Sequence, residues 1–214
     1  MYKALFCLLI FFSSYVPTFA YDLYVTEVEK PYDIVRISAS VEERQLHLGT
    51  LADFPVMYEV ELSEATDFTA SLRQLSNGRL EPLPLGMIVV KRGERGDVTE
   101  VARFNPEAEK WNKVKDKTIG LTFWDSEVVV KQLEAGTYGI EISTPDNVGK
   151  YILSTGRAPE GVGYFEKLSK AYQIQDFFGY SIFRMLVLPA VYYPLGLLLL
   201  LFVSNKIRKY RLNL

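Results

Sequence analysis

The chain has 214 residues, 49% of them hydrophobic and 23% charged, with a formal net charge of −2. Those proportions suit one folded domain with something apolar added, and they exclude a disordered or collagen-like chain. One cysteine, Cys7, and one histidine, His47, remove most nucleophilic and metal-ligating constellations from the start.

Residues 1–20, MYKALFCLLIFFSSYVPTFA, set one lysine before an apolar run and end in Thr18-Phe19-Ala20. Small residues thus occupy the −3 and −1 positions of a cleavage site after Ala20. The pattern is that of a signal peptide, too short and wrongly flanked for a spanning helix. Cys7 leaves with it, so the exported domain relies on its core rather than on disulfides.

Residues 21–156 alternate in short bursts between turn signals, among them Ile34–Ile37, Val56–Leu62, Met87–Val90, Ile119–Trp124 and Tyr138–Ile142. Period-two patterning at roughly ten-residue spacing predicts an all-β antiparallel sandwich of about nine strands. Ser76-Asn-Gly78 and Gly93–Gly96 supply turn residues tolerant of positive φ. The polar stretch 105–117 reads as a surface loop or one short helix carrying Trp111. That tryptophan is either an exposed binding anchor or a ring folded over a core edge. His47, in an alternating segment, is expected on the outward face of a strand. Glu59 and Glu61 share one strand face, where they read as a polar surface rather than as paired catalytic acids. No phosphate-cradling glycine loop, HExxH or GxSxG is present, so neither catalysis, a cofactor nor a metal site is expected.

After Gly161-Val-Gly163, the segment Tyr164–Arg184 has helical periodicity, with Phe165, Leu168, Ala171, Tyr172, Gln175 and Phe178 at three- and four-residue steps. As the juxtamembrane part of 157–184 it is expected to be an amphipathic helix on the outer leaflet. Packing on the sandwich or in a partner's groove are the alternatives. Residues 185–204 follow as an uncharged apolar block, long enough for the roughly 30 Å hydrocarbon core. Pro189 and Pro194 interrupt its outer half, and Tyr192 and Tyr193 stand between them as an interfacial belt or a handle for a partner helix. The tail 205–214 carries Lys206, Arg208, Lys209 and Arg211 and no acid, which places the C-terminus in the cytoplasm and the N-terminal domain outside. The exported residues 21–183 hold all 26 acidic side chains against 18 basic ones. Such a surface argues against nucleic acid as a partner.

The segment Leu133-Glu-Ala-Gly-Thr-Tyr-Gly-Ile-Glu-Ile-Ser-Thr-Pro-Asp-Asn-Val-Gly-Lys-Tyr-Ile-Leu153 places Tyr138, Ile140 and Ile142 on one side of a strand. Pro145–Gly149 then reverse the chain, and Tyr151 and Leu153 return on the expected partner strand. This resembles the closing hairpin of bacterial pre-peptidase C-terminal (PPC) domains. The likeness extends over about 55–155 but is sharp only over 133–153. It implies a non-catalytic sandwich module of the kind attached to secreted enzymes, with roles in secretion or in substrate or surface binding. Some members resemble calcium-stabilised modules, to which Asp146 and Asn147 could contribute oxygens, but two oxygens fall far short of the six to eight a calcium ion takes.

The function expected is a non-catalytic, single-pass membrane-anchored binding module in the cell envelope. Its partners are membrane lipid and an unidentified protein, contacted through Trp111, Trp124, Tyr172, Phe177, Phe178, Tyr192 and Tyr193. The alternatives are an auxiliary subunit of a membrane complex, and a carbohydrate- or wall-binding domain with Trp111, Trp124 and Tyr32 as stacking aromatics.

Overall fold

The computed structural model describes residues 22–37, 43–78, 80–93, 95–106, 110–156 and 163–212. The leader expected at 1–20 lies outside them. The twelve strands are β1 (Asp22–Thr26), β2 (Ile34–Ile37), β3 (Gln45–Ala52), β4 (Val56–Leu62), β5 (Thr66–Leu75), β6 (Gly86–Arg92), β7 (Val98–Phe104), β8 (Trp111–Asp116), β9 (Leu121–Ser126), β10 (Val129–Leu133), β11 (Gly136–Ser143) and β12 (Val148–Thr155). They form two sheets. The larger runs β1-β3-β12-β5-β9-β8 with β10 also on β5, and the smaller runs β2-β4-β11-β6-β7. All pairings are antiparallel except β1 with β3 and β2 with β4.

The inner faces meet in a core that alternation dictates. In β4, Val56, Tyr58, Val60 and Leu62 are buried, while Met57, Glu59 and Glu61 turn outward. Facing them across the sandwich are Phe68, Leu72, Tyr151 and Leu153. The segment 133–153 is therefore an arch between sheets and not a hairpin. β11 pairs with β4 and β6 in the smaller sheet, whereas β12 pairs with β3 and β5 in the larger. Both strands have their edges filled by others, and their apolar sides meet across the core instead of side by side.

The larger sheet is buried on its second face as well. Leu46, Leu48, Leu121, Phe123 and Ile152 form a separate apolar cluster with Ile174 of the helix α1 (Tyr164–Phe177). The helix thus packs on its own sandwich rather than on a membrane surface. Its apolar stripe, Ala171 and Ile174 with Phe177 and Phe178, finds a matching apolar face on β3, β9 and β12. Lys150 from β12 donates to the Phe177 carbonyl at 2.5 Å and lies 4.8 Å from the Phe177 ring centre. A cation is thereby supplied to a helix C-terminus that has none in its own last turn.

Helix α1 stops well short of Arg184. Gly179, at φ +82°, follows it, then a 3₁₀ helix (Ile182–Val187) and α2 (Pro189–Leu212). Pro189 is the first residue of α2, where its missing N–H removes no intrahelical bond. Pro194 lies inside and leaves the carbonyl of Ala190 without its amide donor. The Tyr164 hydroxyl donates to that same carbonyl, which clips the start of α1 to the start of α2. Pro189–Tyr210 is long and apolar enough to cross a membrane, and the helix continues through Lys206, Arg208, Lys209 and Arg211.

Stretch 105–117 also differs from expectation. Residues 107–109 lie outside the described set, and Trp111–Asp116 is a strand. It is an edge strand whose residues 112–115 are exposed, so no apolar alternation marked it. β9 and β10 run along β5 as nearly one strand with a one-residue bulge between them, because the partners shift from Arg73↔Asp125 to Ala70↔Val129. Ser126 mends the gap. Its Oγ accepts from the Leu72 N–H at 2.8 Å and donates to the Glu127 carbonyl at 2.9 Å.

Candidate binding site

The outer face of the smaller sheet, opposite α1, carries an apolar depression of about 350 Å³ lined by Pro31, Tyr32, Ile34, Phe54, Pro55, Met57, Arg92 and Glu141. Two turns form its rim. In Lys30–Asp33 the Asp33 N–H donates to the Lys30 carbonyl at 3.3 Å, and Tyr32 has φ +73°. This is the pattern of a type II turn with proline second and, in third place, a tyrosine where glycine is usual. Its side chain is 94% exposed. The second turn holds Asp53 at φ +68° and is pinned by the Asp53 N–H to the Asn147 carbonyl at 3.0 Å. Arg92 lies across the floor, with Nη1 donating to Glu59 Oε2 at 2.9 Å and Nη2 at 2.8 Å from Met57 Sδ. Glu59 also faces Arg36 at 3.8 Å. Beside the depression runs β2, an edge strand paired with β4 alone among the described residues.

The aromatic platform expected of Trp111, Trp124 and Tyr32 does not form. Trp111 is buried and meets the Phe104 ring edge-on at 5.5 Å, so it closes a core edge and is not an exposed anchor. Trp124 is half-buried, packed against the same core, with the Lys113 ammonium 5.2 Å from its ring centre. Tyr32 lies on the other sheet's outer face. Phe177 and Phe178 come together at 5.0 Å, and Phe178 meets Phe123 at 5.9 Å, which places both beneath the α1 layer. Tyr172 is half-buried on α1, apart from them. Tyr192 and Tyr193 stand exposed on α2, rings 4.4 Å apart. Lys206, Arg208 and Lys209 are exposed on the last turns of α2, and Arg211 follows in the same helix.

His47 is a correction. It points inward, parallel to Tyr24 at 5.0 Å and edge-on to Tyr58 at 5.5 Å. Because α1 covers the other side of β3, Leu46 and Leu48 face the helix and His47 faces the inter-sheet core. Burial pushes its pKa down to about 4. Among the described residues neither ring nitrogen has a hydrogen-bond partner. Tyr58 and Tyr151 share a buried hydroxyl contact at 3.0 Å; burial raises both phenols, that of Tyr58 to about 12.

Among the described residues no group of three or more His, Cys, Asp or Glu side chains converges as metal ligands would. Asp146 is engaged within its turn, its Oδ1 accepting from the Thr144 hydroxyl at 2.8 Å. That bond lowers the Asp146 pKa.

The chain is similar to a pre-peptidase C-terminal domain. The solved structure in question is the pre-peptidase C-terminal domain of a collagenase from Bacillus anthracis, 13% identical, with 60% of this chain and 98% of that domain's chain covered and a TM-score of 0.38. No family model matches the sequence, and no curated protein matches it.

The depression was only partly visible in the sequence. Tyr32 drew attention as an aromatic, but Phe54, Met57, Arg92 and Glu141 come from three further strands and a turn. The local signal was Lys30-Pro-Tyr-Asp33, a proline-led turn with an aromatic in the glycine position.

Proposed function

We propose that the protein is a non-catalytic, membrane-anchored binding module. Its sandwich stands outside the membrane on α2 with the C-terminus cytoplasmic, and it takes an extended segment of a partner protein at the Tyr32 depression. The observation that carries this reading is the Tyr32 turn. Holding a bulky residue at positive φ costs about 1–3 kcal/mol, and the exposed ring recovers none of it by packing within the chain. An aromatic held out over an apolar depression, beside a strand edge unpaired among the described residues, suits a segment that adds to β2 and lowers one apolar side chain into the hollow. The basic residues after the span support the orientation.

The test is crosslinking of the full-length chain in native membranes, followed by mass spectrometry, with wild type and Tyr32→Ala in parallel. A protein crosslinked near Pro31–Ile34 in wild type and lost in the variant supports the reading. A partner kept by Tyr32→Ala and crosslinked at Tyr192 or Tyr193 replaces it with an auxiliary subunit that works through its span. Binding to a glycan array, with no protein captured, replaces it with a carbohydrate-binding module.

A further inference from the structure

At the end of the sandwich where α2 departs, a polar cleft of about 260 Å³ is lined by Leu75, Ser76, Asn77, Gly78, Lys113, Leu121, Thr122, Tyr180 and Arg184. We infer that this cleft binds the phosphate of an outer-leaflet phospholipid headgroup. The inference rests on the membrane anchoring proposed above and not on the Tyr32 site.

Charge comes first. The domain is strongly acidic, yet neither Lys113 nor Arg184 forms an ion pair with a carboxylate among the described residues. Lys113 instead stands over the Trp124 ring at 5.2 Å. Arg184 stands over the Tyr180 ring at 5.0 Å and reaches the Gly120 carbonyl at 3.4 Å. Two cations held by aromatic faces keep their charge available to an anion. Ser76 adds a buried hydroxyl with no hydrogen-bond partner among the described residues, in a wall otherwise rich in polar groups. A buried hydroxyl left unsatisfied calls for a polar occupant close by.

Depth comes second. Arg184 precedes Pro189, the first residue of the span, by five residues, most of them in the 3₁₀ turn. At about 2 Å of rise per residue the guanidinium lies within roughly 10 Å of the hydrocarbon boundary, which is headgroup depth. The turn's other side chains agree, since Ile182, Phe183, Leu186 and Val187 are all more than half exposed, Phe183 by 75%. Four large apolar side chains beside a span suit insertion at the interface. They would set the cleft level with the phosphates, facing lipid and not free solution.

The test uses the full-length chain reconstituted in nanodiscs containing phosphatidylglycerol, released into mild detergent and examined by native mass spectrometry. Wild type is expected to retain one phosphatidylglycerol. The double variant Lys113→Gln/Arg184→Gln is expected to retain it about tenfold less, and Lys131→Gln, an exposed cation elsewhere, as wild type does. Both cleft side chains are exposed, and an unchanged thermal melt verifies that the double variant folds. Equal retention by wild type and the double variant overturns the proposal. Displacement of the lipid by millimolar inorganic phosphate overturns its lipid half, leaving a site for free phosphate. Failure of the wild-type chain to enter nanodiscs at all would strike the anchoring reading, and the cleft with it. Entry without retention would strike the cleft alone.

Discussion

His47 shows how one side chain ties burial to pH. Its pKa is lowered to about 4 in the fold, against about 6.5 in an unfolded chain. Below pH 6.5 the unfolded state therefore binds more protons than the folded one, and stability falls as pH falls from 6.5 toward 4. The full difference is about 3 kcal/mol, and above pH 7 the group contributes no slope. Urea unfolding in detergent between pH 7.5 and 4.5 should show that loss in wild type, and His47→Phe should flatten the upper part of the window. Gly49, two residues on, meets a steric limit. A Cβ there would stand 2.3 Å from Cζ of Tyr151, whose hydroxyl is fixed on Tyr58. Gly49→Ala should destabilise by about 1–3 kcal/mol through overpacking, read as a lower urea midpoint with an unchanged slope.

At the scale of elements, the β9–β10 bulge depends on one hydroxyl. Ser126→Ala leaves the Leu72 amide buried without an acceptor, which should cost about 1–3 kcal/mol. Hydrogen exchange should then report faster opening at Leu72 first. The same bulge shows what the sequence could and could not convey. Alternation placed β4 at Val56–Leu62 and announced β6, β9 and β11, because those strands bury one face and expose or half-expose the other. It misplaced His47 because β3 is buried on both faces, and a strand between two cores has no polar side to read. It missed β8 because a solvated edge strand needs no apolar residues. It took 133–153 for a hairpin, since a sequence gives the facing of side chains but not whether two strands bond to each other or look at each other across a core. The helical stripe of α1 was legible, but its partner surface was not. Leu46, Leu48 and Ile152, which receive it, are scattered over more than a hundred residues. For the same reason the sequence could single out Tyr32 and not the hollow beneath it.

At the scale of the whole molecule, the decisive residue is Leu188. It is fully buried at the last position before α2, and its Cδ2 lies so close to Gly120, at φ +74°, that a Cβ there would meet it at 2.6 Å. Gln175 donates to the neighbouring Ile119 carbonyl at 2.6 Å. The sandwich and α2 are thus joined by a filled socket and not by a loose stalk. Inserting six Gly/Ser residues between Leu188 and Pro189 should leave the melting temperature of the sandwich nearly unchanged while freeing its orientation. Spin labels at Lys131→Cys and Lys206→Cys, in a Cys7→Ser background, should give a narrow distance distribution without the insertion and a broad one with it.

With α2 crossing the bilayer as proposed, such a socket makes the protein a lever. Spanning helices tilt by roughly 20° on average to match local bilayer thickness. A point one eight-residue strand from the pivot, roughly 26 Å away, swings by about 9 Å when the helix turns through that angle. The thickness of the bilayer would then help to set the height of the strand ends remote from Gly120, and a partner fixed at a given height there would be met in a bilayer of one thickness and missed in another.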